Sequence, residues 1–308
     1  MKVLILGGSG IIATYLAETA PAGTQLTLTY RQHRPLVTDG VALRQADLAD
    51  AAAVATLLAE LRPDAVIDAA GMSGVDDCER DPAAAAAGNV LATRHLLTAL
   101  AATPAKLVYI STNAVYDGRQ APYHENSPRR PVNEYGRIKC ACEEMIRRQA
   151  LPGWCIARLI FVYGWNRGWS RRNPLPWMVD SLRAKQSLRL VTDVRENPLS
   201  ALFAARALWR VLGRDISGEI NIAGAETVNR YELGLAVAEV FGLDAGLLRP
   251  VASSCFPQLA PRPADSSYAT EKMARLLDLP PLPLREGLQQ LRAQRQAPDE
   301  PLRPGRFD

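Results

Sequence analysis

The sequence predicts an α/β protein in which a doubly wound parallel sheet is followed by a smaller C-terminal α/β lobe. Three observations point there. Short apolar runs alternate with longer helical patterns through the first half, a glycine array directly follows the first of those runs, and beyond Gly164 the composition and the regularity both change. A chain of 308 residues can bury a large core either as one elaborate domain or as two lobes sharing a cleft, and the break in pattern favours two lobes.

The runs KVLILG (2–7), TQLTLTY (24–30), VALRQAD (41–47), DAVIDAA (64–70) and AKLVYIST (105–112) read as strands. IIATYLAETA, DAAAVATLLAELR and the Ala-rich PAAAAAGNVLATRHLLTALAA lie between them. They read as helices, because good helix formers dominate and apolar positions recur at three and four. Strands alternating with helices predict a parallel sheet covered on both faces. A further helix begins near Tyr135, a strand WCIARLIFV (154–162) follows, and the alanines at 83–87 read as a tightly packed helix face. After Gly164, GWNRGWSRRNPLPW reads as a loop leaving the sheet. PWMVDSLRAK, SLRLV, LSALFAARALWRVLG, GEINIAG and RYELGLAVAEVFG then alternate less regularly. The expected organisation is residues 1–163 as the sheet domain, 164–295 mainly as the second lobe with some segments returning to the main sheet, and 296–308 as a flexible tail.

Composition excludes several classes. The hydrophobic fraction of 48% and charged fraction of 22% are those of an ordinary globular protein. No apolar run has the length of a membrane span, and VLILGG is too short for a leader core, so a cytoplasmic location without membrane attachment is expected. A net charge of +4 argues for no nucleic-acid track and mildly favours an anionic ligand; RRNP and NSPRRP read as solvated loops. The five cysteines form no C-x-x-C pair and read as reduced thiols, and the three scattered histidines suggest no metal site.

In LILGGSGIIATYL, Gly7, Gly10 and Ala13 form a G-x-x-G-x-x-A array between the first strand and the first helix. Glycine at the first two places permits a tight turn and lets backbone N–H groups approach a pyrophosphate, which the helix N-terminus stabilises; Ala13 still permits close helix–sheet contact. The sheet is therefore expected to be of the Rossmann type and to bind a dinucleotide. At the end of the second strand, where an NAD site would place an acid, the chain reads LTYRQHR, and Asp39 lies too far along to serve. Arg31, helped by Arg34, can pair with a 2′-phosphate through its planar fork, so NADP(H) is expected over NAD(H). The alternative is a solvated loop cation.

Tyr135 and Lys139, in EYGRIK, stand one helical turn apart and share a face. The chain carries only 5 Lys among 36 basic residues, so a lysine at this spacing is pointed. A nearby ammonium favours the phenolate and is expected to lower the phenol pKa, and a compact ammonium can also reach ribose hydroxyls. The pair then makes sense as a general acid beside a nicotinamide. Nine tyrosines and five lysines in 308 residues give about 0.15 such spacings by chance, so context must add weight. LVYIST supplies it by ending in Ser111 and Thr112, at the carboxyl edge of a parallel sheet.

The glycine turn, AAG at 69–71, IST at 110–112 and Tyr-x-x-x-Lys together resemble the extended short-chain dehydrogenase/reductases. More closely, DAAGMSGVDDCERDP, ISTNAVYDGRQAPYHENSPRRPVNEYGRIKCACEE and LAPRPADSSYATEKM are similar to the dTDP-4-dehydrorhamnose reductase family of sugar-nucleotide reductases. The similarity runs over roughly 1–295. It is specific through 105–145 and loose between 164 and 255. The resemblance implies catalytic roles for Thr112, Tyr135 and Lys139. It implies cofactor contacts at Gly7, Gly10, Ile11, Ile12, Arg31, Asp47, Leu48, Ala69, Ala70, Gly71 and Asn89, besides Tyr135 and Lys139, with Asp47 meeting the adenine. It places Thr112, Asn113, Phe161 and Arg262 at the sugar nucleotide. On the residues alone, Phe161 reads equally as core and Arg262, between two prolines, as a loop cation. Two departures stand near the substrate: Asn113 follows the Thr where these reductases carry Asp, and Phe161 stands where the similar reductases carry Trp.

The expected activity is hydride transfer from NADPH to a keto group of a nucleotide-activated deoxysugar or related metabolite, with Tyr135 as proton donor, Lys139 as its activator and ribose anchor, and Thr112 as polariser. The rivals are a sugar-nucleotide epimerase that holds NAD tightly, against which Arg31 argues, and a non-catalytic, reductase-like regulatory subunit. A 4,6-dehydratase would need acids where Asn113 and Ala114 stand. The resemblance also implies a homodimer.

Overall fold

The structure is a computed structural model that describes residues 1–37, 40–149, 151–166 and 173–294. Asp39, Arg171 and Arg172 of the RRNP cluster, much of the loop after Gly164, and the tail from 296 lie outside the described residues.

Six strands form in the first half: β1 (Lys2–Leu6), β2 (Gln25–Tyr30), β3 (Ala42–Gln45), β4 (Ala65–Asp68), β5 (Lys106–Thr112) and β6 (Trp154–Leu159). Together with Gly218–Ile222 they make a seven-stranded, wholly parallel sheet in the order Gly218–Ile222, β6, β5, β4, β1, β2, β3. The chain reverses direction across the sheet between β1 and β4, the switch point where such sheets open a crevice at their carboxyl ends. Alternation in β1 divides two cores. Val3 and Ile5 pack with the first helix and the long helix Ala201–Gly213 on one face, while Leu4 and Leu6 pack with Leu57, Leu96 and Ile146 on the other. Each such buried aliphatic side chain contributes about 1.5–3 kcal/mol, so both faces are needed to hold the strands flat against their helices.

The helices of this half are α1 (Ile11–Glu18), α2 (Ala51–Leu61), α3 (Val75–Arg80), α4 (Pro82–Ala86), α5 (Ala92–Leu100) and α6 (Glu134–Gln149). Asp50 caps α2 by accepting from Ala52 N at 2.9 Å and Ala53 N at 3.2 Å. Two expectations change here. The Ala-rich helix predicted over 82–102 is interrupted by a π-turn at Ala87–Leu91, and α3 was not marked by any periodicity. The alanines are also not a packed face: Ala83, Ala84 and Ala87 are exposed and only Ala85 is fully buried, because α4 is a short helix lying at the protein surface.

The predicted strand 154–162 divides as well. β6 ends at Leu159, and Val162–Tyr163 pairs instead with Leu199–Ser200. The edge strand Gly218–Ile222 pairs parallel with β6 and extends the main sheet. Asn173 caps the helix Pro174–Arg183, accepting from Leu175 N at 3.2 Å, and Asn229 with Glu232 forms a capping box on the helix Arg230–Phe241. Among the described residues no helix is long and apolar enough to cross a membrane.

Candidate active site

A cleft of about 570 Å³ lies at the carboxyl edge of the sheet, between the glycine turn on one side and residues 191–266 on the other. The first wall is built by backbone. Gly7 has φ +80°, and a Cβ there would stand 2.7 Å from Ala69 O and 2.8 Å from Ala70 Cα. Only glycine tolerates both the left-handed backbone and that approach. Gly10 N donates to Gly7 O at 3.0 Å, and Gly10 precedes α1 with no side-chain cap, so the first turn of α1 keeps its N–H groups for a ligand. Ile11 and Ile12 line the cleft beside it, as do Ala69, Ala70 and Gly71. Gly71, with φ +118°, would push a Cβ to 2.2 Å from Asn89 Oδ1. Asn89 is 4% exposed, sits on the π-turn, and donates to Met72 O at 3.2 Å and Ala85 O at 2.8 Å. A cradle of glycines closed to any Cβ, next to an uncapped helix start, fits a dinucleotide.

β5 delivers Ser111 and Thr112 to the floor. Both line the cleft, but their hydroxyls are bound differently: Ser111 Oγ donates to Glu143 Oε1 at 2.6 Å and Thr112 Oγ1 to Asn113 Oδ1 at 3.2 Å. Helix α6 is drawn onto this floor through Gly136, where a Cβ would meet Ala114 O at 2.1 Å. Asn133 Oδ1 holds Gly136 N at 2.9 Å. Tyr135 and Lys139 consequently reach the same cleft.

Their electrostatics depart from the sequence expectation. Burial pushes the Tyr135 phenol up to about 12, while hydrogen bonding with the Thr112 hydroxyl pulls the other way. The Lys139 ammonium does not bring it down. It is buried at 4% exposure, donates to Ile110 O at 2.7 Å, and lies 4.0 Å over the Tyr109 ring. Burial lowers the Lys139 pKa, with Cys142 and the buried Asp68 opposing the shift. At Tyr135 desolvation outweighs the hydrogen bond with Thr112, and the phenol holds its proton firmly.

Beneath the floor, Arg158 is fully buried and clamps Glu143 with two bonds, Nε to Oε1 and Nη2 to Oε2, both 2.8 Å. It also pairs with Glu219 and donates to the Tyr116 hydroxyl at 2.8 Å. Burial would raise the Glu143 pKa, but Arg158 holds it below the usual carboxylate range.

The second wall is built by side chains. Asn113 Nδ2 donates to Glu196 Oε1 at 2.8 Å and to Ser266 Oγ at 2.7 Å. Arg230 pairs with Glu196 Oε2 at 2.7 Å and lies 3.3 Å over the Phe161 ring. Arg262 pairs with Asp76 of α3 at 2.8 Å and donates to Ala260 O at 2.7 Å, while Asp76 also accepts from Ala260 N at 3.0 Å. Asn133 Nδ2 holds Pro261 O at 2.9 Å. The loop around Ala260 is thus fastened across the cleft.

Of the residues singled out from the sequence, Gly10, Ile11, Ile12, Ala69, Ala70, Gly71 and Asn89 line this one cleft together with Thr112, Asn113, Tyr135, Lys139, Phe161 and Arg262. Gly7 lies beneath the turn. Arg31, just past β2, and Asp47, just past β3, are exposed outside the lining; the Arg31 carbonyl accepts from Gln45 Nε2 at 2.9 Å, and Asp47 Oδ1 accepts from Ala49 N at 3.0 Å. Leu48 is half-buried, its carbonyl 3.2 Å from His95 Nδ1. The sequence reading missed Glu196, Arg230 and Ser266. The one local signal was the capping box at Asn229–Glu232, which fixes where Arg230 enters a helix.

The family model described as "RmlD substrate binding domain" matches residues 1–296. Among curated relatives, "Probable low-salt glycan biosynthesis reductase Agl14" of Haloferax volcanii is 30% identical, covering 86% of this chain and 89% of its own. The dTDP-4-dehydrorhamnose reductase of Mycolicibacterium smegmatis is 29% identical over 94% of this chain and 84% of its own. Methionine adenosyltransferase 2 subunit beta of Mus musculus is 27% identical over 94% and 86%. Of solved structures, the dTDP-4-dehydrorhamnose reductase of Bacillus anthracis in complex with NADP superposes with a TM-score of 0.82 at 22% identity, covering 96% of this chain and 99% of that one, which establishes the shared fold.

Proposed function

The chain belongs to the RmlD substrate-binding-domain family of extended short-chain dehydrogenase/reductases, and from that membership we propose that it uses NADPH to reduce a keto group on a nucleotide-activated deoxysugar or related metabolite. The family is one of NAD(P)-dependent oxidoreductases. The observation that carries the narrower reading is the convergence of Thr112, Tyr135 and Lys139 in the cleft that the glycine turn also lines.

Gly7, Gly10 and Gly71 would cradle a dinucleotide, which when bound would supply the hydride. Thr112 holds the substrate oxygen and Tyr135 Oη gives it a proton. A phenol held up at about 12 stays protonated through the neutral range, as an acid for reduction must. Lys139, already desolvated, near Asp68 and over the Tyr109 ring, would hold the cofactor ribose with its ammonium, which donates to Ile110 O. The fixed floor aligns carbonyl and cofactor, which replaces a bimolecular encounter by an oriented one. The exposed Arg31 at the end of β2 supports NADP over NAD.

The test is NADPH oxidation by purified protein with a panel of keto-sugar nucleotides that includes dTDP-4-dehydrorhamnose. Tyr135→Phe is expected to lower turnover by about 10²–10⁴-fold; undiminished turnover overturns the assigned role. The similarity to methionine adenosyltransferase 2 subunit beta favours a second reading, a partner subunit without turnover. Stoichiometric co-purification with a synthetase, with no NADPH consumed by any carbonyl in the panel, selects it.

A further inference from the structure

The second wall carries charges that proton and hydride transfer do not require. Glu196 lies on the short strand Arg195–Glu196, which pairs antiparallel with Val228–Asn229, and Arg230 follows immediately at the start of its helix. Two paired residues per strand therefore fix the separation of the charged side chains. The Arg230 guanidinium is further fixed over Phe161, 3.3 Å from the ring centroid. A guanidinium held this way loses little rotamer freedom on binding.

Asn113 completes the arrangement. Its amide N–H groups go to Glu196 Oε1 and Ser266 Oγ, and its Oδ1 accepts from Thr112 Oγ1 at 3.2 Å. The amide thereby links the floor to the carboxylate, and an aspartate at this place would oppose Glu196 with like charge and offer it no donor. Glu196 Oε2 is buried and ion-paired with Arg230, yet accepts no hydrogen bond among the described residues. The cleft lining thus holds an acceptor with a vacant lone pair beside a guanidinium that can only donate, one residue-to-residue step from Thr112.

We propose that Glu196 and Arg230 recognise the hydroxyl groups of the substrate's sugar ring, one hydroxyl donating to Glu196 Oε2 and another accepting from Arg230, with Asn113 holding the carboxylate in place. The inference deepens the sugar-nucleotide reading and rests on it. Hydroxyls match this pair because each can donate or accept. A ligand without the ring leaves Glu196 Oε2 with the Arg230 ion pair alone, and sites that bury a charged hydrogen-bonding group discriminate against ligands that cannot complete its bonding.

Calorimetric titration of the NADP-loaded protein with dTDP-rhamnose and with dTDP isolates the sugar, since both probes share the nucleotide. Wild type is expected to prefer dTDP-rhamnose by about tenfold or more. Glu196→Ala and Arg230→Ala should each bring that ratio towards one while leaving dTDP affinity and NADP loading unchanged. Glu196→Gln, which still accepts from Asn113, should retain part of the preference. A preference that survives both alanine substitutions overturns this proposal alone. Equal loss of both probes also overturns it, because the pair would then be structural. Wild-type protein that binds neither probe removes the sugar-nucleotide reading and this proposal together.

Discussion

The two walls of the cleft are made of different material. On the sheet side the surface is peptide backbone brought close by Gly7, Gly10 and Gly71. On the far side it is a set of long side chains, Glu196, Arg230 and Arg262, each fixed by an opposite charge or an aromatic face. Backbone N–H groups are the same whatever the sequence, so the first wall suits a ligand part common to many proteins. Side chains can be exchanged one at a time without moving the chain, so the second suits whatever part of the ligand varies. The contrast teaches where to look for generic and for particular chemistry within one site.

The sharpest way to break this contrast is to attack the floor that both walls stand on. Arg158→Ala removes the clamp from the buried Glu143, and although Arg147 and Arg129 still face its Oε2, losing the buried partner is expected to cost up to about 3–5 kcal/mol. Urea unfolding should show that loss, and both walls should fail together. Gly7→Ala tests the backbone wall by itself. The strained φ and the contact with Ala69 and Ala70 should cost about 1–3 kcal/mol and weaken NADPH binding, read by cofactor fluorescence, with dTDP affinity retained.

A pH series sharpens the comparison further. The folded-state pKa values of Tyr135 and Tyr116 are both raised to about 12, so the folded protein keeps neutral phenols that the unfolded chain begins to ionise near 10. Their contribution is fully present below pH about 10 and is lost as pH climbs toward about 12. The urea midpoint should fall across that window, and Tyr135→Phe should flatten part of the decline. The smallest effect is expected at Asp76→Asn. Its bridge to Arg262 is partly exposed and contributes no more than about 1 kcal/mol. Thermal unfolding should barely shift, whereas proteolysis near Ala260, where the loop loses its fastening, should quicken.

The same division decided what the sequence disclosed. Strand–helix alternation and the array at Gly7 and Gly10 are local signals, and the six strands of the first half appear within a few residues of their predicted bounds. Tyr135 and Lys139 are four apart on one helix, so their shared cleft was legible too. The Glu196–Arg230 pair was not, because 33 residues, with the helix Ala201–Gly213 and three strand segments among them, separate its members and no periodicity links them. The Tyr135 pKa was misjudged for a related reason. Spacing reports that an ammonium is near, but not that the Ile110 carbonyl and the Tyr109 ring engage it or that the surroundings exclude water. Asn113 was recognisable as a departure, yet its meaning depended on Ser266, far along the chain.

The π-turn at Ala87–Leu91 carries a consequence of its own. A turn with an i to i+5 bond accommodates one residue more than a regular helical turn, so everything after it is rotated by about 100° relative to an unbroken helix. That offset lets Asn89 aim at Gly71 while Leu96, Leu97 and Leu100 still dock on the sheet. The insertion works as a phase shifter, separating the heading of a cleft-facing amide from the heading of the packing stripe behind it. Excising a single residue there would put the two headings in conflict, and either the amide or the stripe would have to turn away.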